Sequence, residues 1–426
     1  MRAARALEDS VYVRAVESRG SLREDASLEE CLLYAARHNP GLEAAFYRWK
    51  AATEQVPRSR SLSDPRLTYA YFLREVETRV GPQRQRLSIS QTFPWFGKLA
   101  ARGDAALEAA RAAEQRYEGI RLRLFHAVTR MYAEHYYLAR AIELTRENLE
   151  LMMHWEEVAR AKFRAGTGTH AEVIKAQVEI GSLSDRLRTL TDRRGAVLAE
   201  LNALLQRPVD APLTAADSLR DEAVGASDSA LTALLPEESP ELRALESEIE
   251  RRRHELRLSS KEFYPDFNLG AGYVMTGEAV NREQPDSGKD PLTVQISINV
   301  PIWRGKYAAG TRAAEARLRA ARQDRQDRLK RLEAAVKRVA YELRDAGRKV
   351  RLYQDTLIPK GNQALQATST AFQAGSLDFL NVIDAQRVLL EFRLAYERAL
   401  ADQTSRLAEL EMLVGRDLPR TSGVER

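Results

Sequence analysis

Histidine is the residue type in this chain best suited to metal binding or proton transfer, and its spacing favours neither. The sequence has six histidines: His38, His126, His135, His154, His170 and His254. No two stand four residues apart beside a glutamate, the spacing that places zinc ligands and a general base on one helix face. His135 falls within an apolar helical pattern, which favours a packed side chain. We therefore predict no metal site and no cofactor.

The other chemistry-bearing patterns are incomplete. Gly166-Thr167-Gly168 lacks the residues that follow in a phosphate-binding loop. The chain has no Gly-x-Ser-x-Gly nucleophile turn. The single cysteine, Cys31, excludes an intramolecular disulfide and lies in a helical pattern that favours a buried thiol. These observations predict a protein that is not an enzyme.

The charge pattern is typical of solvated helix faces. The net charge is +5, and 30% of the residues are charged, but acids and bases alternate, as in residues 246–253. This alternation argues against a nucleic-acid partner. No apolar run reaches the roughly 18 residues of a membrane-spanning helix. A membrane crossing would therefore need strands closed into a barrel.

The first twenty residues lack the apolar segment of a secretory signal peptide. They carry Arg2, Arg5, Glu8 and Asp9 instead. We expect either that the sequence starts within a longer gene product or that the protein is not exported.

Two halves of the chain repeat one another. Phe163-Arg164-Ala165-Gly166 recurs as Phe372-Gln373-Ala374-Gly375, and Leu87-Ser88-Ile89-Ser90 matches Val294-Gln295-Ile296-Ser297. Matches in the same order indicate a tandem duplication. We predict an N-terminal segment at 1–27, a first repeat at 28–210, a linker at 211–227, a second repeat at 228–418 and a C-terminal tail at 419–426.

Each repeat is predicted to hold two strands and two long helices. The strands are expected at about 66–74 and 85–93, and at about 266–275 and 291–300. The helices are expected at about 98–164 and 169–206, and at about 306–373 and 377–415. At about 1.5 Å per residue, the first helix would be on the order of 100 Å long. Glycines 166 and 375 suit the left-handed residue that ends a helix, so each helix pair should form an antiparallel hairpin with a tight tip.

An apolar seam follows the first long helix, in the alternating three and four spacing of laterally packed helices. Its residues are Leu124, Val128, Met131, His135, Leu138 and Ile142, followed by Leu149 and Met152.

The strands alternate between apolar and polar or small residues. In the last strand Leu292, Val294 and Ile296 interleave with threonine, glutamine and serine. This pattern fits a tilted membrane strand, and it also fits a half-buried sheet of a soluble protein. Long helices offer these strands no compact core to cover, which favours the membrane. Four strands cannot close a barrel, so other copies must complete it: two chains would give a filled eight-stranded barrel, and three would leave a lumen.

The strand-to-helix junctions carry a family resemblance. They run Phe93-Pro94-Trp95-Phe96-Gly97-Lys98 and Val300-Pro301-Ile302-Trp303-Arg304-Gly305-Lys306. With the duplicated hairpin unit, they resemble the TolC-like outer-membrane efflux proteins over about residues 28–418, and most of all the heavy-metal branch. The resemblance implies a mainly α fold with a small β part. It also implies that three copies form a twelve-stranded outer-membrane β-barrel continuous with an α-helical periplasmic tunnel.

The resemblance also implies partners and a task. The partners are two sister copies, a periplasmic membrane-fusion adaptor, an inner-membrane pump of the resistance-nodulation-division type and outer-membrane lipid. The task is a passive duct that exports drugs or heavy-metal ions from a Gram-negative cell.

The resemblance implies site residues as well. Asp384 matches an acid of the closed periplasmic aperture, and Asn381 stands where some members have a second acid. The tip segments 166–170 and 375–379 would contact the adaptor through Gly166, Thr167, Gly168, Gly375, Ser376 and Leu377. The junctions are marked by Pro94, Gly97, Pro301 and Gly305. Helix termination alone would also explain the tip glycines.

Two alternatives stay open at this point. A duct of the same fold could serve type I protein secretion. A soluble coiled-coil scaffold would fit the missing signal peptide and the mean hydropathy of −0.45, although it leaves the repeated strands unexplained.

Overall fold

The computed structural model describes residues 22–422. The expectation about a signal peptide lies outside these residues. The chain divides into two compact units. The described residues of the helical unit are 22–45, 117–240 and 329–422. The sheet unit comprises residues 46–116 and 241–328.

Helices make up most of the described chain, and their bounds follow the hairpin pattern of the sequence. The first half has α1 Leu28–His38, α2 Pro40–Arg60, α3 Lys98–Arg164 and α4 His170–Leu204. The second half has α5 Asp228–Glu238, α6 Pro240–Lys261, α7 Arg304–Leu352, α8 Ile358–Gln373 and α9 Phe379–Val414. None of these helices is both long enough and apolar enough to pass through a bilayer.

Four strands form one antiparallel sheet in the sheet unit. They are β1 Arg66–Tyr71, β2 Gln83–Phe93, β4 Phe267–Thr276 and β5 Leu292–Ile298, in the order β1-β2-β4-β5. Strands of the two repeats therefore meet at the β2–β4 pair, where Ser88 lies opposite Gly272. A mainly helical fold with a small sheet is thus confirmed.

A second, short sheet forms between the predicted linker, 211–227, and the predicted C-terminal tail, 419–426. β3 Glu222–Val224 pairs antiparallel with β6 Arg420–Ser422. The linker also packs into the helical unit, because Leu213 is buried and Asn202 donates to the carbonyls of Val209 and Ala211.

The second long helix is interrupted, unlike the continuous helix predicted at 306–373. Residues Tyr353–Leu357 form a π-helical turn between α7 and α8, in which the N–H of Ile358 donates to the carbonyl of Tyr353. Pro359 follows at once and has no N–H for an α-helical bond to the carbonyl of Asp355. The wider turn is the local adjustment to that missing donor.

The core of the helical unit contains the predicted seam of α3. Leu124, Val128, Met131, His135, Leu138 and Ile142 are all buried. A further cluster joins Trp155 of α3 to Val173 of α4, Phe372 of α8 and Phe379 of α9. The helical period of the sequence thus translates directly into the buried stripe of each helix.

Candidate functional site

The four-stranded sheet has one apolar face whose side chains are exposed in the single chain. Cross-strand neighbours on this face form two continuous rows. One row is Tyr69, Leu87, Tyr273 and Leu292, and the next is Leu67, Ile89, Ala271 and Val294. On β5, Val294 is 74% exposed and Ile296 is 72% exposed. A contiguous apolar surface of this kind marks contact with lipid or with another protein.

The opposite face, here called the polar face, carries mostly small and polar side chains; Val274, opposite Arg86, is a buried apolar exception. Its rows are Thr68, Ser88, Gly272 and Thr293, followed by Arg66, Ser90, Gly270 and Gln295. Since side chains alternate along a strand, register alone separates these residues from the apolar rows. The sheet is therefore apolar on one side and hydrophilic on the other, as a wall between lipid and water requires.

A partly buried ion pair joins the first strand-to-helix junction to the strand beside it. Lys98 is 4% exposed and donates from Nζ to Asp266 Oδ1 at 2.7 Å and to the carbonyl of Tyr264 at 2.9 Å. The backbone N–H of Trp95 donates to the same carboxylate oxygen at 2.8 Å. The Trp95 ring stacks between Tyr264 and Phe267, with centroids 5.2 and 5.5 Å away. This network ties the start of α3 to the start of β4.

The two junctions differ in their glycines. Gly97 adopts φ +81°, and a Cβ there would lie 2.9 Å from Lys261 Nζ. Gly305 is the second residue of α7, and a Cβ there would meet no atom within 4 Å. Pro94 and Pro301 are partly buried beside them. Only the first junction therefore needs the conformational freedom of glycine.

The first hairpin tip lies between α3 and α4. Gly166 has φ +72°, and the next N–H, of Thr167, reaches back to the carbonyl of Lys162 at 3.0 Å. Thr169 and Glu172 then form a capping box that starts α4. Gly166 and Thr167 are exposed, and Gly168 is partly buried.

The second tip has the same local design. Gly375 has φ +77°, the N–H of Ser376 bonds to the carbonyl of Ala371 at 2.9 Å, and Asp378 caps α9. Gly375, Ser376 and Leu377 are exposed. Phe379, the last residue of the segment 375–379, is fully buried in the helical core and is therefore not available as a surface contact.

Several contacts join the two hairpins within the helical unit, among them the following three. Lys162 Nζ donates to the carbonyl of Phe372 at 2.8 Å and lies 3.8 Å from the centre of its ring. Arg387 donates to Glu179 at 2.6 Å, and this hydrogen bond raises the pKa of Arg387 above its usual range. Arg186 donates to Glu391 at 2.5 Å. These contacts hold the hairpins in their present positions relative to one another.

Both residues matched to the aperture lie on the solvent-exposed face of α9. Asp384 is exposed, and its carboxylate lies 3.7 Å from Arg387 Nη1. The amide of Asn381 donates to the carbonyl of Asp378 at 3.2 Å, so it supports the first turn of α9. In the single chain, Arg387 therefore contacts both Asp384 of its own helix and Glu179 of the other hairpin.

The sequence patterns did not identify Lys162, Arg387 or the Lys98–Asp266 pair. Lys98 and Asp266 stand 168 residues apart, so no local pattern connects them. The repeats differ at the position four residues before the tip glycine, which is Lys162 in the first copy and Ala371 in the second. That difference is the one signal that could have pointed to Lys162.

The described residues show no cluster of three or more histidine, cysteine, aspartate or glutamate side chains that could hold a metal ion. Cys31 is fully buried, and burial raises its pKa to about 11. A thiol in this environment is a poor nucleophile.

The sequence profile of the outer membrane efflux protein family matches residues 33–206 and 231–416, once in each repeat. Alkaline protease secretion protein AprF of Pseudomonas aeruginosa is 23% identical over 92% of this chain and 86% of its own length. Cobalt-zinc-cadmium resistance protein CzcC of Cupriavidus metallidurans is 22% identical over 92% of this chain and 90% of its own length.

Solved structures show the same fold. The outer membrane protein VceC of Vibrio cholerae superposes with a TM-score of 0.76 at 20% identity, over 93% of this chain and 97% of that chain. The family profile covers both repeats, and this excludes the alternative of a soluble coiled-coil scaffold. This chain belongs to the outer membrane efflux protein family: it is an outer-membrane channel component of an efflux system and not an enzyme.

Proposed function

We propose that three copies of this chain assemble into one conduit, a twelve-stranded β-barrel continuous with an α-helical periplasmic tunnel. The sheet supports this assembly because β1 and β5 are both edge strands with unpaired backbone groups. Such edges are not tolerated in lipid, so a neighbouring copy must pair with each of them. Three copies supply enough strands for a barrel with an open lumen.

The proposal rests on one observation: one face of the sheet is apolar and the other is polar. The apolar rows face the hydrocarbon, and the polar face lines the lumen. The helices contribute the tunnel wall, and the tips at Gly166–Gly168 and Gly375–Leu377 are the contacts for a periplasmic adaptor. The adaptor connects the duct to an inner-membrane pump of the resistance-nodulation-division type, which selects the cargo.

The cargo we propose is small solutes, drugs or heavy-metal ions. The name of CzcC, a cobalt-zinc-cadmium resistance protein, supports this choice. The name of AprF, an alkaline protease secretion protein, favours a second candidate, type I protein secretion through the same fold. Deletion of the gene should sensitise the cell to solutes in the first case and retain a secreted protein in the second.

A matched pair of substitutions on β5 tests the membrane assignment. Val294→Arg places a charge on the apolar face, and Gln295→Arg places the same charge on the polar face one residue later. An arginine facing the middle of the bilayer costs about 2–4 kcal/mol, whereas a lumen position costs far less. We expect Val294→Arg to reduce the trimer recovered from outer membranes and Gln295→Arg to leave it near the wild-type level.

Equal recovery of the two variants would contradict the assignment of the faces. Recovery of the wild-type protein as a single chain without detergent would contradict the whole assembly.

A further inference from the structure

The polar face of the sheet carries positive charge without compensating acids. The four strands β1, β2, β4 and β5 contain three arginines and no aspartate or glutamate. One of the three, Arg84, pairs with Glu75 at 3.3 Å. The other two, Arg66 and Arg86, are exposed and have no ion-pair partner in the described part of the chain.

Register places both unpaired arginines on the polar face. Arg66 lies opposite Ser90, and Arg86 lies opposite Ala70. Between them lies the pair Thr68 and Ser88, on the same face. Arg86 is two residues from Ser88 on the same strand, a distance of about 6.6 Å between Cα atoms. Arg66 is the diagonal neighbour of Ser88 on the adjacent strand, at about 7–8 Å.

Several acids of the adjoining loops are already engaged, whereas Asp64, in the loop before β1, is exposed and forms no ion pair in the described residues. Glu77 accepts a hydrogen bond from the N–H of Val280, and Asp290 accepts one from the N–H of Thr276. Asp266 is held by Lys98. These carboxylates therefore have bonding partners other than Arg66 and Arg86.

We propose that Arg66 and Arg86 make the wall of the barrel lumen cationic and favour the passage of small anionic solutes over cations of similar size. The proposal rests on the proposed function, because it requires the polar face to line a lumen. Three copies would bring six guanidinium groups to one stretch of the lumen. A water-filled passage with low-dielectric walls concentrates the potential of such charges.

The inference concerns selectivity within the barrel, which is separate from the selectivity of the pump. A basic wall attracts carboxylate, sulfonate and phosphate groups by charge and by hydrogen bonding from the guanidinium fork. A solute with several positive charges would be disfavoured at the same place, so among the proposed cargoes the inference favours anionic solutes over free heavy-metal cations.

Thiol modification at Ser88 tests the charge of the wall directly. Ser88→Cys adds a small nucleophile between the two arginines, and the native Cys31 gives little background because it is fully buried. The assembled trimer in outer membranes would be treated with anionic methanethiosulfonate-ethylsulfonate or with cationic methanethiosulfonate-ethyltrimethylammonium. Each rate is divided by the rate of the same reagent with free 2-mercaptoethanol.

We expect the normalised rate to be roughly fivefold higher for the anionic reagent at physiological salt, from two or more screened charges about one strand step away. Replacing both arginines by glutamine, Arg66→Gln with Arg86→Gln, should bring the ratio close to one. The matched pair Arg66→Lys with Arg86→Lys should retain most of the preference, because it keeps the charge.

A ratio that does not change when both arginines become glutamine would overturn the inference and leave the proposed function standing. Leu87→Cys, on the apolar face, provides the control for orientation. If Leu87→Cys reacts and Ser88→Cys does not, the faces are reversed, and the proposed function fails together with the inference.

Discussion

His135 shows how burial determines the protonation of a single side chain in the helical unit. It is 1% exposed, and its Nε2 lies 3.0 Å from the carbonyl of Leu213. A carbonyl only accepts, so Nε2 carries the proton and Nδ1 is left without a partner in the described structure. Burial lowers the pKa of His135 below its usual value, because a second proton would create a buried charge with no acceptor.

The lowered pKa of His135 predicts acid sensitivity. The unfolded chain binds the proton at a higher pH than the folded chain, so stability is retained above about pH 6.5 and falls as the pH drops below it. His135→Gln keeps a donor for Leu213 and cannot titrate. We expect its unfolding temperature to fall less than that of the wild type between pH 7.5 and 5.

Circular dichroism melts of the detergent-solubilised proteins provide the measurement. His126 also has a pKa lowered by burial and is present in both proteins, so the difference between their slopes isolates His135. Parallel slopes would contradict the assignment.

At the scale of single elements, the two junctions show that equivalent positions in a duplication need not share a conformation. Gly97 is left-handed and Gly305 is helical, although both precede a lysine at the start of a long helix. A sequence pattern that equates them would give both the same role. The structure assigns the special backbone conformation to Gly97 alone.

We predict opposite effects for alanine at the two glycines. Gly97→Ala should destabilise the protein by about 1–2 kcal/mol, because an L-residue is strained in the left-handed region. Gly305→Ala should be neutral or stabilising by up to about 1 kcal/mol, because alanine is the better helix former and has open space around its Cβ. Denaturant midpoints of the two variants measure the difference. Equal losses at both positions would contradict the argument.

At the scale of the whole molecule, we propose that the duct opens when the hairpins change their relative positions. Sliding or hinge motion of packed helices is a common way to open such a passage. Arg387 helps to hold the hairpins in their present arrangement, because it bonds Glu179 of the other hairpin and lies beside Asp384. Breaking these contacts should favour the open arrangement.

We predict that Arg387→Ala and Asp384→Ala each raise the ion conductance of the closed trimer in planar bilayers severalfold. The first substitution removes the hydrogen bond between Arg387 and Glu179, and the second removes the acid matched to the aperture. Arg348→Ala is the control, since Arg348 pairs with Asp345 of its own helix. Unchanged conductance for Asp384→Ala would remove this residue from the gate.

The sequence by itself was sufficient for the features that depend on neighbouring residues. The apolar seam of α3 follows from a helical period, and the tips follow from Gly166 and Gly375, because helix termination depends on a few adjacent bonds. Alternation likewise assigns Val294 and Gln295 to opposite faces before any partner strand is known.

Only the tertiary structure decided the features that join distant residues. It pairs β2 with β4, adds the β3–β6 sheet, and brings Lys98 to Asp266. These contacts depend on how the two repeats fold against each other, and no local propensity encodes that choice. Arg66 and Arg86 illustrate the division. Alternation along the strand determines the face on which each arginine lies, whereas only the folded structure shows that neither forms an ion pair within residues 22–422.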